Sequence, residues 1–356
     1  MTTFQNPLTT GLASAVIPTF NRAYCIARTI DSALAQTYRD TEVVVVDDGS
    51  TDGTAEMIRD RFGNEPRVRY LHQQNAGVSA ARNAGMLAAR GEFLALLDSD
   101  DSWHPWKLEA QIAALRRFPE LGMVWTDFEA VDPEGRIVDP RHLKAMFAGY
   151  KHFSDEELFT ARYPMRSLTP HLGQLNESNL YVGHVFSRML VGALVLTSTA
   201  VFRRATVERV GLFDTGLKIG EDYDFLLRIA HEGPVGCIDA PAMQYQRGLA
   251  DHHSRDEHKL LHAVNHLRTI EPYLENDRAR IQLSDGQIRQ MLADVHRWIG
   301  EKAVDGGQLA LARKHLAKSL WQNSRQARCL GLLLVSCLPQ FCGDALRNIY
   351  RRCKMA

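Results

Sequence analysis

Apolar residues along this chain come in short unbroken runs, set between longer stretches with helical spacing. Ala13 to Pro18, Glu42 to Val46, Val68 to Leu71, Glu92 to Leu97 and Gly122 to Thr126 are the runs of the first third. Runs this short, rich in Val, Ile and Leu, fit strands buried on both faces. Pro18 is expected to end the first strand, because proline donates nothing to a ladder. Between the runs, helices are expected over about Ala23 to Gln36, from Ser50 or Thr51 as cap to Phe62, over Ala80 to Ala89 closed by Gly91, and over Pro105 to Phe118. Strands alternating with helices predict an α/β fold: a mostly parallel sheet with helices on both faces.

The pattern then weakens. Phe128 to Val138 reads as a strand, a turn at Pro133-Glu134-Gly135-Arg136 and a returning strand. Residues 141–188 show poor periodicity, as functional or mobile segments do. Leu194 to Phe202 returns to strand, Arg204 to Val210 is a short helix, and Val235 to Ile238 and Met243 to Tyr245 are short closing strands. From about Asp256 the spacing is helical: Leu260 to Leu267, Ile288 to Ile299 and Leu309 to Leu320. One further run, Leu330 to Leu338, is apolar all round and too short to span a bilayer. The expected organisation is one domain over 1–255, divided into halves 13–127 and 128–255, and a helical C-terminal region over 256–356.

Composition narrows the class. The 356 residues are 45% hydrophobic and 24% charged, as in an ordinary globular protein. With 42 basic and 42 acidic residues the formal net charge is zero, so no global field attracts nucleic acid. The six cysteines show neither zinc-site spacing nor the density of a disulfide scaffold, and read as reduced thiols. Met1 to Leu12 lacks a basic-then-apolar leader. The expectation is a cytoplasmic protein. The C-terminal run either packs as a buried helix or, with Arg347, Arg351, Arg352 and Lys354 after it, lies peripherally on an anionic membrane.

The candidate chemistry sits where strands end. Glu92 to Leu97 runs straight into Asp98-Ser99-Asp100-Asp101, and Val43 to Val46 into Asp47-Asp48. In open α/β sheets the ligand crevice lies beyond such strand ends. Crowded carboxylates raise one another's pKa unless a cation or donors join them, and hard oxygen ligands suit Mg²⁺ or Mn²⁺. The competing reading makes Asp101 or Ser102 the cap of the helix near Pro105. No glycine-rich phosphate loop is present, which argues against dinucleotide dehydrogenases and P-loop NTPases. Further on, Gly220-Glu221-Asp222 opens a helix carrying Phe225, Leu226 and Ile229. Asp222 reads as its N-cap, as a general base for a hydroxyl, or as both, with Glu221 and Asp224 as alternatives.

Four segments together are specific. Val16-Ile17-Pro18-Thr19-Phe20-Asn21-Arg22, Val45 to Asp52, Gly77 to Asn83 and Leu97 to Asp101 resemble, in order and spacing, successive motifs of the family 2 glycosyltransferases. The resemblance is strong over about Ser14 to Asp127 and looser to about Tyr245. It implies a GT-A (Rossmann-like) fold, a nucleotide-diphosphate sugar donor and inversion at the anomeric carbon. Carried over, Pro18, Thr19, Asn21 and Asp48 line the nucleoside pocket. Asp98, in the Asp98-Ser99-Asp100 motif, meets ribose or metal, Asp100 is the main ligand of Mn²⁺ or Mg²⁺, and Asp101 stands close by. Arg82 either joins the nucleotide side or is an exposed helix arginine. The Glu221-Asp222 pair resembles the family's catalytic element, with Asp222 as base. Arg247, His252 and His253 either fold over the pyrophosphate or form a solvated loop. The implied acceptor is a saccharide or lipid-linked saccharide, and UDP is the expected nucleotide. The rival classes are a metal-dependent nucleotidyltransferase and a non-catalytic nucleotide-sugar-binding module.

Overall fold

The structure is a computed structural model that describes residues 4–248 and 258–337. The chain divides near residue 251 into two compact units. The first opens with β1 (Thr9–Thr19), α1 (Ile26–Leu34), β2 (Thr41–Asp47), α2 (Thr54–Phe62), β3 (Val68–His72), α3 (Val78–Ala88) and β4 (Gly91–Leu96). Next come β5 (Ser102–Trp103), α4 (Lys107–Arg117), β6 (Met123–Val131) and β7 (Ile137–Asp139). A stretch of short pieces follows: α5 (Leu143–Met146), α6 (Gly149–His152), α7 (Asp155–Leu158), β8 (Ala161–Pro164), α8 (Met165–Leu168), β9 (Asn179–Gly183) and α9 (Phe186–Met189). The unit closes with β10 (Val201–Arg203), α10 (Arg204–Val210), α11 (Glu221–Glu232) and β11 (Val235–Gln246).

All strands join one sheet in the order β3-β2-β1-β4-β10-β6-β11-β9-β8, with β5 on β11 and β7 on β6. The first four are mutually parallel, as the alternation of strands and helices predicts, and β6 and β11 are parallel to each other. The three-residue β10 lies between the two blocks, antiparallel to both β4 and β6. The register pairs Thr19 with Asp47 and Val16 with Leu96, so the loops after β1, β2 and β4 leave the sheet along one edge. Val43 to Val46 and Phe93 to Leu97 are wholly buried, as their unbroken apolar runs require. Helix α3 lies hard against β1 at Gly85, where a Cβ would fall 2.3 Å from Val16 Cγ1.

Several expected boundaries move. Pro18 does not end β1; the strand runs on to Thr19, whose carbonyl accepts from Asp48 N–H at 2.8 Å. Helices α1 and α4 are shorter than expected, and Gly91 starts β4 rather than closing α3. The caps expected at Ser50 or Thr51 and at Asp222 are absent: α2 begins after Gly53 and α11 after Gly220, both left-handed. Gly220 at φ +80° starts α11 two residues earlier than a cap at Asp222 would, so Asp222 is its second residue. The strand at Gly122 and the one at Phe128 are a single β6, and the hairpin to β7 follows as predicted. Val235 to Tyr245 is likewise one irregular strand, whereas the run from Leu194 gives a 3₁₀ turn at Thr197–Thr199 before β10.

The second unit holds α12 (Lys259–Asn276), α13 (Asp285–Asp305), α14 (Leu309–Gln322) and α15 (Ala327–Cys337). Ala303, Val304, Ala312, Leu316, Cys329 and Leu332 form a shared apolar cluster. The buried-helix expectation holds for one side of α15 alone: Leu332 and Ser336 are covered, while Leu330 and Leu334 are exposed. Among the described residues no helix is long and apolar enough to cross a membrane. Arg347, Arg351, Arg352, Lys354, His252 and His253 lie outside the described residues.

Candidate functional site: an acidic turn at the sheet edge

The loop after β1 is built around Asn21, which takes a left-handed φ of +53° despite its side chain. Its N–H donates to Ser50 Oγ at 2.8 Å, and its Oδ1 accepts from Thr51 N–H at 2.9 Å. Arg22 N–H donates to Thr54 Oγ1 and Ala23 N–H to Asp52 Oδ2. The loops after β1 and β2 are thereby laced together. Buried Thr19 closes β1 with an Oγ1 that finds no protein partner.

Asp48 is buried and engaged from within. Gln73 Nε2 and Ala76 N–H donate to its Oδ1 at 2.7 and 2.9 Å, and Gly77 N–H to its Oδ2 at 2.8 Å. The carboxylate thus shapes the loop before α3. Its neighbour Asp47, unremarked in the sequence beyond its charge, accepts from Ser50 N–H and from the Tyr70 hydroxyl.

After β4 the chain makes a tight turn, Asp101 N–H donating to the Asp98 carbonyl at 3.0 Å. From α1, the Thr29 hydroxyl lies 2.8 Å from the carbonyls of both Ser99 and Asp101, Cys25 Sγ meets Ser99 O at 3.4 Å, and Arg28 Nη2 donates to Asp100 O. The three acids then part. Asp98 Oδ1 accepts from Arg82 Nη2 at 2.8 Å. Asp100 Oδ2 lies 3.9 Å from Arg22 Nη2. Asp101 turns inward, where Gln246 N–H and Ser198 hydrogen-bond its carboxyl. This inward position excludes the capping role: α4 has no side-chain cap. Burial, followed by the charges of Asp100 and Asp98, holds the Asp101 carboxyl well above the usual range. Burial and the same acids push Tyr245 up to about 12, and burial with Asp100 pushes the Cys25 thiol up to about 11.

Arg82 is not the exposed helix arginine of the alternative reading; it is 6% exposed. One Nη meets Asp98 and the other meets Glu221 Oε1 at 3.1 Å, while the guanidinium lies 5.3 Å from the centroid of Phe213. Beside it, the Asn83 side chain exchanges two hydrogen bonds with the Phe213 backbone. Helix α3 therefore carries the acidic turn on one side and the start of α11 on the other. Burial lowers the Arg82 pKa, but Asp98 and Glu221 outweigh it and the net shift is upward. One guanidinium facing Asp98, Glu221 and Asp222 cannot neutralise them all. Burial and the Asp222 charge push Glu221 up to about 7.

Asp222 is half-buried beside this pair, its Oδ1 accepting from Tyr223 N–H at 2.7 Å. Asp224 points elsewhere, paired with Arg228, whose fork also holds the carbonyls of Val210 and Leu212. Arg247 is exposed and donates its N–H to Val131 O. The partners missed by sequence reasoning, Ser198 and Gln246, come from irregular or distant segments, and no local motif marks them.

Among the described residues no three His, Cys, Asp or Glu side chains converge to hold a metal on their own. Asp100 and Asp98 at an open edge nevertheless fit a hard cation that completes its shell with water and phosphate oxygens, the usual way Mg²⁺ is bound.

Comparison with known proteins agrees with this geometry. Residues 14–170 match the family model described as glycosyl transferase family 2. A chondroitin synthase of Pasteurella multocida (strain Pm70) is 39% identical over 150 residues, 42% of this chain and 15% of that protein. A chondroitin synthase of Escherichia coli is 26% identical over 260 residues, covering 73% of this chain and 32% of that one. The chain thus spans less than a third of the length of either synthase. The crystal structure of residues 1–349 of S. aureus TarS in complex with UDP-GlcNAc superposes with a TM-score of 0.54 at 18% identity, over 89% of this chain and 93% of that one. That likeness establishes the fold, the GT-A arrangement implied by the motifs.

Proposed function

We propose that the chain transfers a sugar from a nucleoside-diphosphate donor, with UDP as the nucleotide, to a hydroxyl of a saccharide or lipid-linked saccharide, with inversion. The observation that carries this reading is the Arg82 bridge, which sets the acidic turn beside the Glu221-Asp222 start of α11. A donor-side acid and an acceptor-side base are what a single displacement needs. A donor complex of the TarS fold and the synthase names of two relatives point to the same chemistry.

The Asn21 and Asp48 loops, with Pro18 and Thr19, form the nucleoside wall, and Asp98-Ser99-Asp100 faces the diphosphate. Mn²⁺ or Mg²⁺ held by Asp100 and Asp98 would neutralise the diphosphate and favour its departure. Asp101, turned inward, supports the turn. Asp222 takes the proton of the acceptor hydroxyl as its oxygen bonds to the anomeric carbon, and the bond to the diphosphate oxygen breaks on the opposite face. Asp222 is favoured because Arg228 occupies Asp224 and Arg82 occupies Glu221.

A panel of nucleotide sugars with Mn²⁺ tests the proposal. Slow hydrolysis of one donor supports it, and the failure of every nucleoside diphosphate to bind contradicts it. A nucleotidyltransferase would instead release pyrophosphate from a nucleoside triphosphate. Contact with an anionic membrane, as part of the same proposal, would use Trp321, Leu330 and Leu334 with Lys314 and Lys318, all exposed. Vesicle co-sedimentation that ignores lipid charge would contradict it.

A further inference from the structure

Ser198 stands a hundred residues after the acidic turn, in the 3₁₀ turn before β10, and is wholly buried. Because β10 is inserted next to β4, this turn comes up against the end of β4. The Ser198 Oγ accepts from Asp98 N–H at 3.1 Å, and the same hydroxyl hydrogen-bonds the Asp101 carboxyl. One hydroxyl therefore closes both ends of the Asp98–Asp101 turn. The Ser198 carbonyl accepts from Trp103 Nε1 at 2.9 Å, and the next carbonyl along the chain is fixed too, since Gln111 Nε2 donates to Thr199 O at 2.8 Å. Ser198 is thus anchored before it touches the turn. Helix α1 holds the turn's carbonyls from the other side through Thr29, Cys25 and Arg28.

We infer that Ser198 is a positioning residue for donor binding: its hydroxyl sets the direction in which Asp100 leaves the turn. The inference rests on the transferase reading above. Asp100 lies inside the turn between the two residues that meet the Ser198 hydroxyl, so the backbone direction from which its side chain leaves follows from how Asp98 and Asp101 are held. Without the hydroxyl, Asp98 N–H and the Asp101 carboxyl each lose a buried partner, and the turn must re-form to recover them.

The test is a pair of variants of equal shape. Ser198→Thr keeps the hydroxyl and Ser198→Val replaces it with a methyl, so both carry the same added bulk. UDP binding is measured by calorimetry with Mn²⁺ and again with EDTA, alongside thermal unfolding. The expected result is Mn²⁺-dependent binding retained in the Thr variant and weakened about tenfold in the Val variant, with the EDTA values alike. Equal Mn²⁺-dependent affinity in the two variants, with a parent that binds, overturns the role of Ser198 and leaves the transferase reading standing. A parent that binds no UDP under either condition overturns both. A Val variant weakened equally with Mn²⁺ and with EDTA also overturns the inference, because the loss would then lie in general folding and not in the aim of Asp100.

Discussion

Arg82 and Glu221 lie 139 positions apart in the sequence and meet at 3.1 Å, and the same guanidinium reaches Asp98 at 2.8 Å. The pair joins α3, which packs on β1 and β2, to the start of α11 with its acids Glu221, Asp222 and Asp224. Removing the charge leaves two carboxylates without their partner. Arg82→Met is therefore expected to cost about 3–5 kcal/mol in urea unfolding, the range for breaking a buried pair. Arg82→Lys, a point charge without a fork, should fall between. A cost below about 0.5 kcal/mol, typical of surface substitutions, would show that the bridge does not form.

Glu221 makes stability depend on pH. Its folded pKa of about 7 stands above the ordinary 4.5, so the folded state holds the proton more tightly than the unfolded chain. Its contribution is complete below about pH 4.5 and declines as pH rises to about 7, levelling off beyond. The loss is on the order of 3 kcal/mol. Glu221→Gln should remove this part of the slope between pH 5 and 8, and equal slopes in parent and variant would rule it out. Asp101 contributes with the same sign in both proteins and cancels in the comparison.

The four parallel strands and the acids at their ends were legible because each buried strand is an unbroken apolar run whose polar exit marks the edge. The Glu221-Asp222 helix start was legible in the same way, as acids set before an apolar face. What could not be read was pairing at a distance. Nothing local says that Val201 to Arg203 inserts between β4 and β6, and with it Ser198 stayed hidden. Asp101 looked like Asp98 and Asp100 because the sequence shows charge and not direction; only the Gln246 and Ser198 contacts turn it inward. Two helix starts were assigned to polar side chains when left-handed glycines, Gly53 and Gly220, make them.

Asp48 offers a test of the loop before α3. Its carboxylate accepts from three donors and gives none, so an amide cannot replace it: the NH₂ of Asn would face an N–H. Asp48→Asn should cost nearly as much as Asp48→Ala, about 2–3 kcal/mol, and should speed hydrogen exchange at Ala76 and Gly77. Unchanged protection of those amides in either variant would contradict the assignment.

Lys107 opens α4 fully buried, its Nζ without a hydrogen-bond acceptor and 4.2 Å from the centroid of the Trp103 ring. Burial holds its pKa well below 10.5, so the folded state binds fewer protons and this group's contribution to stability falls as pH drops below 10.5. Lys107→Met should stabilise the protein at pH 7 by about 1–3 kcal/mol. A destabilised variant would mean that the amine has a partner, such as buried water.

The central claim is that Asp222 takes the proton in a sugar transfer whose donor is held at Asp98 to Asp100. Because Gly220 and not Asp222 begins α11, Asp222→Asn leaves the helix start intact and keeps the side-chain acceptor for Tyr223 N–H. The direct measurement is the single-turnover rate of transfer from the preferred nucleotide sugar, with donor affinity measured on the same preparations. Donor affinity should stay within about twofold of the parent while the rate falls by about two to four orders of magnitude. An Asn variant that binds donor and transfers at close to the parental rate would contradict the account.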